Sequence, residues 1–86
     1  MTPLITIHPN PITNGVINLH LVNQPAGTYG IRLLNPLGQT IVSRQVTRAK
    51  GTTTEQIKWN YYLAHGTYQL QVSKPHGEVK VIRVMY

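Results

Sequence analysis

Apolar and polar residues alternate along most of the chain, and a period of two predicts β-strands rather than helices. The clearest segment runs from Thr67 to Ser73, where Tyr68, Leu70 and Val72 form one face and the intervening glutamines form the other. Comparable segments between turn signals predict seven short strands in all. They cover residues 5–8, 17–21, 29–33, 39–47, 53–59, 67–73 and 78–85.

Three of these strands contain an irregularity. Proline has no N–H donor, so the segment Pro9-Asn10-Pro11 is expected to end the first hydrogen-bonded ladder. Adjacent apolar residues at 41–42 blur the alternation of the fourth strand. In the last strand the apolar positions change parity at 81–82, which indicates a bulge or a two-faced terminal strand.

Seven short strands without a helical period predict an all-β domain, namely an immunoglobulin-like antiparallel β-sandwich, with a small barrel as the alternative. Val, Ile and Thr, which favour strands, number 8, 8 and 10, against only 3 Ala. Segments 26–33 and 64–72 echo each other, because each begins with Ala and opens a strand with Gly-Thr-Tyr. The echo predicts that the third and sixth strands are neighbours in one sheet, with Tyr68 at a tyrosine corner.

Acidic side chains are almost absent from the 86 residues: 8 Lys and Arg face only Glu55 and Glu78, and the net charge is +6. The chain has neither Asp nor Cys. Carboxylate pairs for sugar hydrolysis, Asp-rich calcium loops, Asp-completed triads and disulfides are therefore excluded, and we expect no enzyme and no cofactor. The length predicts one domain over residues 1–86, and Met1 followed directly by a strand-like segment predicts that it is excised from a longer chain. No segment approaches the roughly 20 apolar residues of a membrane helix.

The remaining polar residues form no recognisable reactive site. The histidines at 8, 20, 65 and 76 lack the spacing of metal ligands, so no metal site is predicted. His20 is expected to face solvent on a strand, and His65 and His76 to lie in turns. Ser43 and Ser73 occupy outward strand positions without a nucleophile-elbow motif. The basic residues form no run, which argues against nucleic-acid binding, although the charge favours attraction to an anionic surface.

An aromatic group supports an alternative function. Tyr61 and Tyr62 follow Trp59 closely and would suit the sugar-binding face of a carbohydrate-binding or adhesion module. The competing interpretation places residues 60–63 in a crossover between the two sheets, with one aromatic ring directed inward. Buried aromatic rings dominate small cores, so the crossover is the favoured interpretation.

Four turn motifs occur in order along the chain. They are His8-Pro9-Asn10-Pro11 followed by Asn14-Gly15, then Gln24-Pro25-Ala26-Gly27-Thr28-Tyr29, then Asn35-Pro36-Leu37-Gly38-Gln39, and then Leu63-Ala64-His65-Gly66-Thr67-Tyr68. Together, from about Ile5 to the last residue, they resemble the type A C-terminal sorting domain of type IX secretion system cargo. Each motif alone is weak, but four in order with one strand after the last form a specific combination.

The resemblance implies a folded secretion signal at the end of a larger secreted protein of Bacteroidetes-type bacteria. An N-terminal cargo domain would enter the periplasm by its own signal peptide, and the sorting domain would direct it through the outer-membrane translocon. A sortase-like protease commonly removes the domain and attaches the cargo to the cell surface or releases it. The implied partners are the outer-membrane type IX components, this protease, the cargo and anionic lipopolysaccharide. The domain itself would be a substrate, without a cofactor, a membrane span or a nucleic-acid partner.

The resemblance also assigns roles to individual residues. The opening motif corresponds to Pro9, Asn10 and Pro11, and the terminal recognition strand to Val79, Lys80, Val81, Ile82, Arg83, Val84, Met85 and Tyr86. The structural glycines and tyrosines of the family correspond to Gly27, Tyr29, Gly38, Gly66 and Tyr68. For these glycines and tyrosines the larger expected role is folding. For the terminal strand it is recognition, because an end strand with free backbone groups can pair with the sheet edge of a partner.

Two features depart from the family pattern. His8 stands where an aromatic residue usually precedes the Pro-Asn-Pro motif, and the chain ends in Val84-Met85-Tyr86 where many members carry a short basic tail. The second departure concerns the terminal recognition signal directly.

Overall fold

The computed structural model describes residues 4–13, 15–59 and 63–86, with the backbone alone for residues 9–13. Seven strands account for most of these residues, and no helix occurs among them. The strands are β1 (Leu4–Thr13), β2 (Val16–Gln24), β3 (Gly27–Leu34), β4 (Thr40–Arg48), β5 (Gly51–Lys58), β6 (Thr67–Ser73) and β7 (Val79–Met85). The predicted all-β fold and its strand positions are confirmed.

The strands form two antiparallel sheets, with the orders β1-β2-β5 and β4-β3-β6-β7. The chain changes sheet after β2, β4 and β5, which is the Greek-key connectivity of immunoglobulin-like sandwiches. Strands β3 and β6 pair directly, with Ile31 opposite Val72 and Leu33 opposite Leu70. The neighbours that the two Gly-Thr-Tyr segments predict are therefore present, and the sandwich, not the barrel, is correct.

The core lies between the sheets and follows from the alternation of each strand. The inward side chains of the described strands are almost entirely shielded from water. They include Ile17, Leu19 and Leu21 of β2, Tyr29, Ile31 and Leu33 of β3, Ile57 of β5, Tyr68, Leu70 and Val72 of β6, and Val84 of β7. Burial of these apolar surfaces is the main force that holds the two sheets together.

The irregular segments differ in part from the prediction. Strand β1 does not end at the prolines but continues to Thr13, while its pairing with β2 shifts register between His8 and Thr13. In β4, Ile41 is the extra residue of a bulge, because Leu33 pairs with Val42 and Leu34 with Thr40. Strand β7 pairs with β6 in unbroken register, so the parity change reflects a two-faced strand and the predicted alternative of a bulge is wrong.

One buried cation ties the two sheets together. Arg48 at the end of β4 is only 8% exposed. Its guanidinium donates from Nε to Thr53 Oγ1 (2.9 Å) and from Nη2 to the Gly51 carbonyl (2.8 Å), both on β5. It also lies 5.6 Å from the centre of the Tyr29 ring. A buried charge needs such hydrogen bonds, because they replace the water that it loses on folding.

Candidate functional site

Strand β7 presents two chemically different faces. Val84 is fully buried in the core and Ile82 is half-buried on the same inward face. On the outward face, Val79, Val81 and Met85 are each about half exposed, at 51%, 50% and 48%. An edge strand that shows apolar side chains to water is normally a liability, so this face is a candidate interaction surface.

The outward face of β7 differs from the rest of its sheet. Outward positions on β3, β4 and β6 carry mostly hydroxyls, amides and a cation: Thr28 and Arg32, Ser43, Gln45 and Thr47, and Gln69, Gln71 and Ser73. Ser43 and Ser73 thus lie at the outward positions expected for them. The exposed apolar side chains of this sheet's strands therefore concentrate on its terminal strand.

Strand β7 is also an edge of the four-stranded sheet. On its free side it lies close to β1 of the other sheet, although no ladder joins these two strands in the described residues. The opening motif Pro9-Asn10-Pro11 belongs to β1, so the two segments to which the family resemblance assigns recognition lie on neighbouring strands.

The last residue anchors the end of β7. Tyr86 exchanges two backbone hydrogen bonds with Gly66, of 3.0 and 3.1 Å. Its ring packs edge-on against Trp59 and Tyr68, at centroid distances of 6.1 and 6.3 Å, and tilts over His65 at 5.1 Å. The backbone N–H of Trp59 in turn donates to the Gly15 carbonyl (3.3 Å), which links this cluster to the turn after β1. Tyr86 is therefore a packing residue.

The terminal residues consequently divide into two groups. Val79, Lys80, Val81, Arg83 and Met85 are exposed, while Ile82, Val84 and Tyr86 pack against the domain. Alternation explains most of this division, because residues 79, 81, 83 and 85 share the outward face and 82 and 84 share the inward one. Lys80 has the parity of the inward residues but is exposed at the start of the strand.

The two motif tyrosines make equivalent contacts. The hydroxyl of Tyr68 donates to the carbonyl of Ala64, four residues upstream, which confirms the predicted tyrosine corner. The hydroxyl of Tyr29 donates to the carbonyl of Pro25 (2.7 Å), again four residues upstream. The sequence echo is therefore a structural one, in which each tyrosine fastens the loop that leads into its own strand.

The motif glycines differ in what the fold requires of them. Gly27 has φ = +139°, and a Cβ on it would lie 2.5 Å from Cγ of Pro75. Gly38 has φ = +82° in the turn between β3 and β4. Gly66 has no positive φ, and a Cβ there would meet its nearest atom, Cγ of Pro36, at an ordinary 3.6 Å.

The sequence was then compared with known proteins. It matches the family model described as a secretion system C-terminal sorting domain over residues 6–85. The chain belongs to this family. Searches of curated proteins and of solved structures returned no significant match.

Membership identifies the chain as a C-terminal sorting signal of type IX secretion, a class whose members are exported to the cell surface or the extracellular space. Such a signal interacts with the type IX machinery and serves a cargo that precedes it. The family is not catalytic. The exposed apolar residues of β7 lie within the matched region.

Other reactive or binding features add little to this site. No group of three His, Asp or Glu side chains is close enough to hold a metal ion within residues 4–13, 15–59 and 63–86. The described part of the sorting domain also contains no helix long and apolar enough to cross a membrane. His65 and His76 lie in bends or turns, and His20 is a half-exposed strand residue whose Nδ1 bonds Thr54 Oγ1 (3.0 Å). Tyr61 and Tyr62 lie outside the described residues.

Proposed function

We propose that the outward face of β7, together with the opening motif Pro9-Asn10-Pro11 on the adjacent β1, is the signal that the outer-membrane type IX translocon recognises. The cargo that precedes the domain reaches the periplasm first and then passes through the outer membrane with the sorting domain attached. A sortase-like protease removes the domain afterwards, and the cargo is attached to the cell surface, with anionic lipopolysaccharide as its acceptor, or is released.

The observation that carries this proposal is the half-exposed apolar row of Val79, Val81 and Met85. It lies on an edge strand of a sheet whose other outward positions are mainly polar. A partner that covers this row removes apolar surface from water and needs no change in the core of the domain. The neighbouring edge of β7 offers backbone groups for strand addition, although β1 lies close to that edge.

The expected contribution of the row follows from its exposure. Val79 and Val81 each expose about half of their surface. Covering both against a partner contributes roughly 1 kcal/mol per side chain, so replacing both with a polar residue of similar shape lowers affinity roughly 30-fold. Threonine is the suitable replacement, because it keeps the β-branched shape and the strand preference of valine.

The test uses a periplasmic reporter fused ahead of the 86-residue chain in a bacterium that has a type IX system. We expect the double variant Val79→Thr, Val81→Thr to retain the reporter in the periplasm. Leu4→Thr is the matched control, because Leu4 is 52% exposed on β1 of the other sheet and loses a comparable apolar surface. Circular dichroism and thermal unfolding of each purified chain establish that the fold is intact.

Normal export of the folded double variant would overturn the proposal. Deletion of residues 82–86 is a weaker test, although we expect it to abolish export. It removes Val84 from the core and Tyr86 from the aromatic cluster, so it unfolds the strand as well as removing the signal. Comparing the deletion with the threonine variant separates loss of recognition from loss of folding.

A further inference from the structure

Two histidines are neighbours on the outward face of the three-stranded sheet. His8 is opposite Asn18 in the β1–β2 ladder, and His20 is opposite Thr6 in the same ladder. The residue that precedes each histidine packs in the core, so both imidazoles lie on the outward face. The two histidines are therefore diagonal neighbours on adjacent strands. They are 12 positions apart in the sequence, so the pair arises only when β1 and β2 join.

The separation of the two histidines suits a shared metal ion. Diagonal neighbours in an antiparallel pair are roughly 7–8 Å apart, and their Cβ atoms are somewhat closer, which is within reach of long and aromatic side chains. An imidazole nitrogen binds zinc at about 2.0–2.1 Å. Two rings that lean towards each other across the ladder therefore place one ion between them.

Each imidazole has a nitrogen for such an ion. Nδ1 of His20 lies 3.0 Å from Thr54 Oγ1. When Nδ1 carries the proton and donates it to this hydroxyl, the lone pair of Nε2 is available to a metal, and the hydrogen bond holds the ring in place. His8 is exposed, and its ring makes no hydrogen bond or ion pair with a residue in the described part of the chain.

The charge around the pair is low for a domain of net charge +6. Strands β1 and β2 contain no Lys or Arg, and β5 adds only Lys58 to this face. Lys58 is opposite Val16, which lies four residues along β2 from His20, or roughly 13 Å at the rise of a strand. A charge at that distance is largely screened at physiological ionic strength. Repulsion therefore does not keep a metal ion from the two imidazoles.

We infer that His8 and His20 together bind one divalent transition-metal ion of the kind that prefers imidazole, such as zinc or copper. Asn18 lies on the same face and offers a further oxygen ligand, because its Oδ1 accepts only a long hydrogen bond from Gln56 Nε2 (3.5 Å). Water completes the coordination. Calcium and magnesium do not suit the site, because they need several oxygen ligands and the pair has no carboxylate beside it.

The position of the pair gives the ion a structural effect. His8 forms the last regular pair of the β1–β2 ladder, and the register shifts between it and Thr13. A metal bridge from His8 to His20 joins the two strands where the regular ladder stops. A ligand that binds the folded chain and not the unfolded one stabilises the fold. The inference does not rest on the proposed function, because the outward face of β7 belongs to the other sheet.

The test is a titration of the untagged, isotope-labelled 86-residue chain with zinc chloride, followed by NMR of the histidine side chains. We expect the imidazole signals of His8 and His20 to change together, with one dissociation constant and one ion per chain. His8→Asn and His20→Asn should each weaken binding roughly tenfold or more, because the second imidazole binds at the high effective concentration that the first creates. Neither histidine is buried, so both variants keep the core intact.

His76→Asn is the matched control, because His76 is an exposed histidine in the turn between β6 and β7 of the other sheet. Its substitution should leave the affinity within about twofold, since distant sites are independent. Excess zinc should raise the Tm of the unchanged chain and of this control, and it should slow amide hydrogen exchange in β1. The Tm of the His8→Asn and His20→Asn variants should not change.

Four results would overturn the inference. The first is the absence of any change at the two imidazoles. The second is an equal loss of affinity in the His8→Asn and His76→Asn variants, which would show binding to single surface histidines. The third is a separate dissociation constant for each histidine. The fourth is the same response to calcium or magnesium chloride. The titration measures metal binding and the reporter measures export, so either proposal can fail without the other.

Discussion

The two tyrosine corners offer a quantitative test of how the fold is held together. Replacing Tyr29 or Tyr68 by Phe removes one hydroxyl and leaves the ring in the core. The hydroxyls donate to the carbonyls of Pro25 and Ala64, respectively. These acceptors differ in their surroundings, because Pro25 is half-buried and Ala64 is exposed. The two substitutions therefore remove the same kind of hydrogen bond from acceptor residues that differ in overall exposure.

The expected costs follow from that difference. A hydrogen bond contributes about 0.5–1.5 kcal/mol net, and an acceptor left buried without a partner costs about 1–3 kcal/mol. Water can replace the hydroxyl at Ala64, so Tyr68→Phe should cost about 1 kcal/mol of unfolding free energy. At Pro25 replacement by water is partly blocked, so Tyr29→Phe should cost about 2 kcal/mol.

The double variant should lose the sum, about 3 kcal/mol, because distant sites are additive. Ile31 is opposite Val72 and Leu33 is opposite Leu70. Tyr29 and Tyr68 therefore lie towards opposite ends of the β3–β6 pair. Each corner fastens a different loop, and neither substitution removes a contact that the other uses.

Urea unfolding at equilibrium measures these differences, with thermal unfolding as a second readout. For a domain of this size, 1 kcal/mol corresponds to a change in Tm of about 4–8 °C. Tyr86→Phe is the control, because its hydroxyl makes no hydrogen bond to another described residue, and we expect a change below about 0.5 kcal/mol. A larger loss for Tyr68→Phe than for Tyr29→Phe would refute the argument from burial of the acceptor.

Two further predictions concern the motif glycine and the terminal tyrosine. Gly27→Ala should destabilise the domain by about 2–4 kcal/mol in urea unfolding, because φ = +139° is strained for alanine and its Cβ would meet Pro75 at 2.5 Å. Gly66→Ala is the control, because it has no such conflict, and it should cost less than about 1 kcal/mol. Equal losses of stability in the two variants would contradict the steric reasoning. Tyr86→Ala should lower the free energy of unfolding by about 2 kcal/mol, because the ring packs on Trp59 and Tyr68. It should also speed amide hydrogen exchange at the end of β7 before the core opens. Unchanged exchange there would show that the aromatic cluster does not hold the strand.

Much of the fold was predictable because the alternation of side chains reports directly which face of a strand is buried. The segment from Tyr68 to Val72 is inward in the structure as expected, and so is the segment from Tyr29 to Leu33. The pairing of β3 with β6 was predictable for a different reason. Both strands open with Gly-Thr-Tyr, and the two tyrosines form equivalent corners at the starts of their strands. These are the third and sixth strands, which are neighbours in one sheet of an immunoglobulin-like sandwich.

The path of β1 was not predictable from its prolines alone. Proline removes an N–H donor, and the expectation was that the ladder ends at Pro9. Strand β1 is an edge strand with β2 as its one partner within its sheet. An edge strand uses only every second N–H for pairing, so prolines are tolerated where the missing donor faces away from the partner. The regular ladder with β2 thus stops at His8, as the prolines predict, while the extended backbone continues to Thr13, where one pair with Val16 forms in a shifted register.

The burial of Arg48 was missed, and the spacing of residues does not single it out. Val42, Arg44, Val46 and Arg48 alternate on one face of β4, yet Arg44 is exposed and Arg48 is buried. What the spacing does not reveal is which acceptors surround the guanidinium. Those acceptors, on Gly51 and Thr53, become neighbours only when β5 joins the other sheet.

The contrast between the two glycine motifs bears on how the signal is built. Gly27 is required by its own backbone conformation and by the close approach of Pro75. Gly66 has neither constraint, yet its N–H and its carbonyl both bond Tyr86, and the ring of Tyr68 next to it packs on the same residue. The second motif therefore fixes the position of β7 relative to β6. Changes at the second motif should alter the presentation of the terminal strand before they alter the core, whereas changes at the first should unfold the domain as a whole.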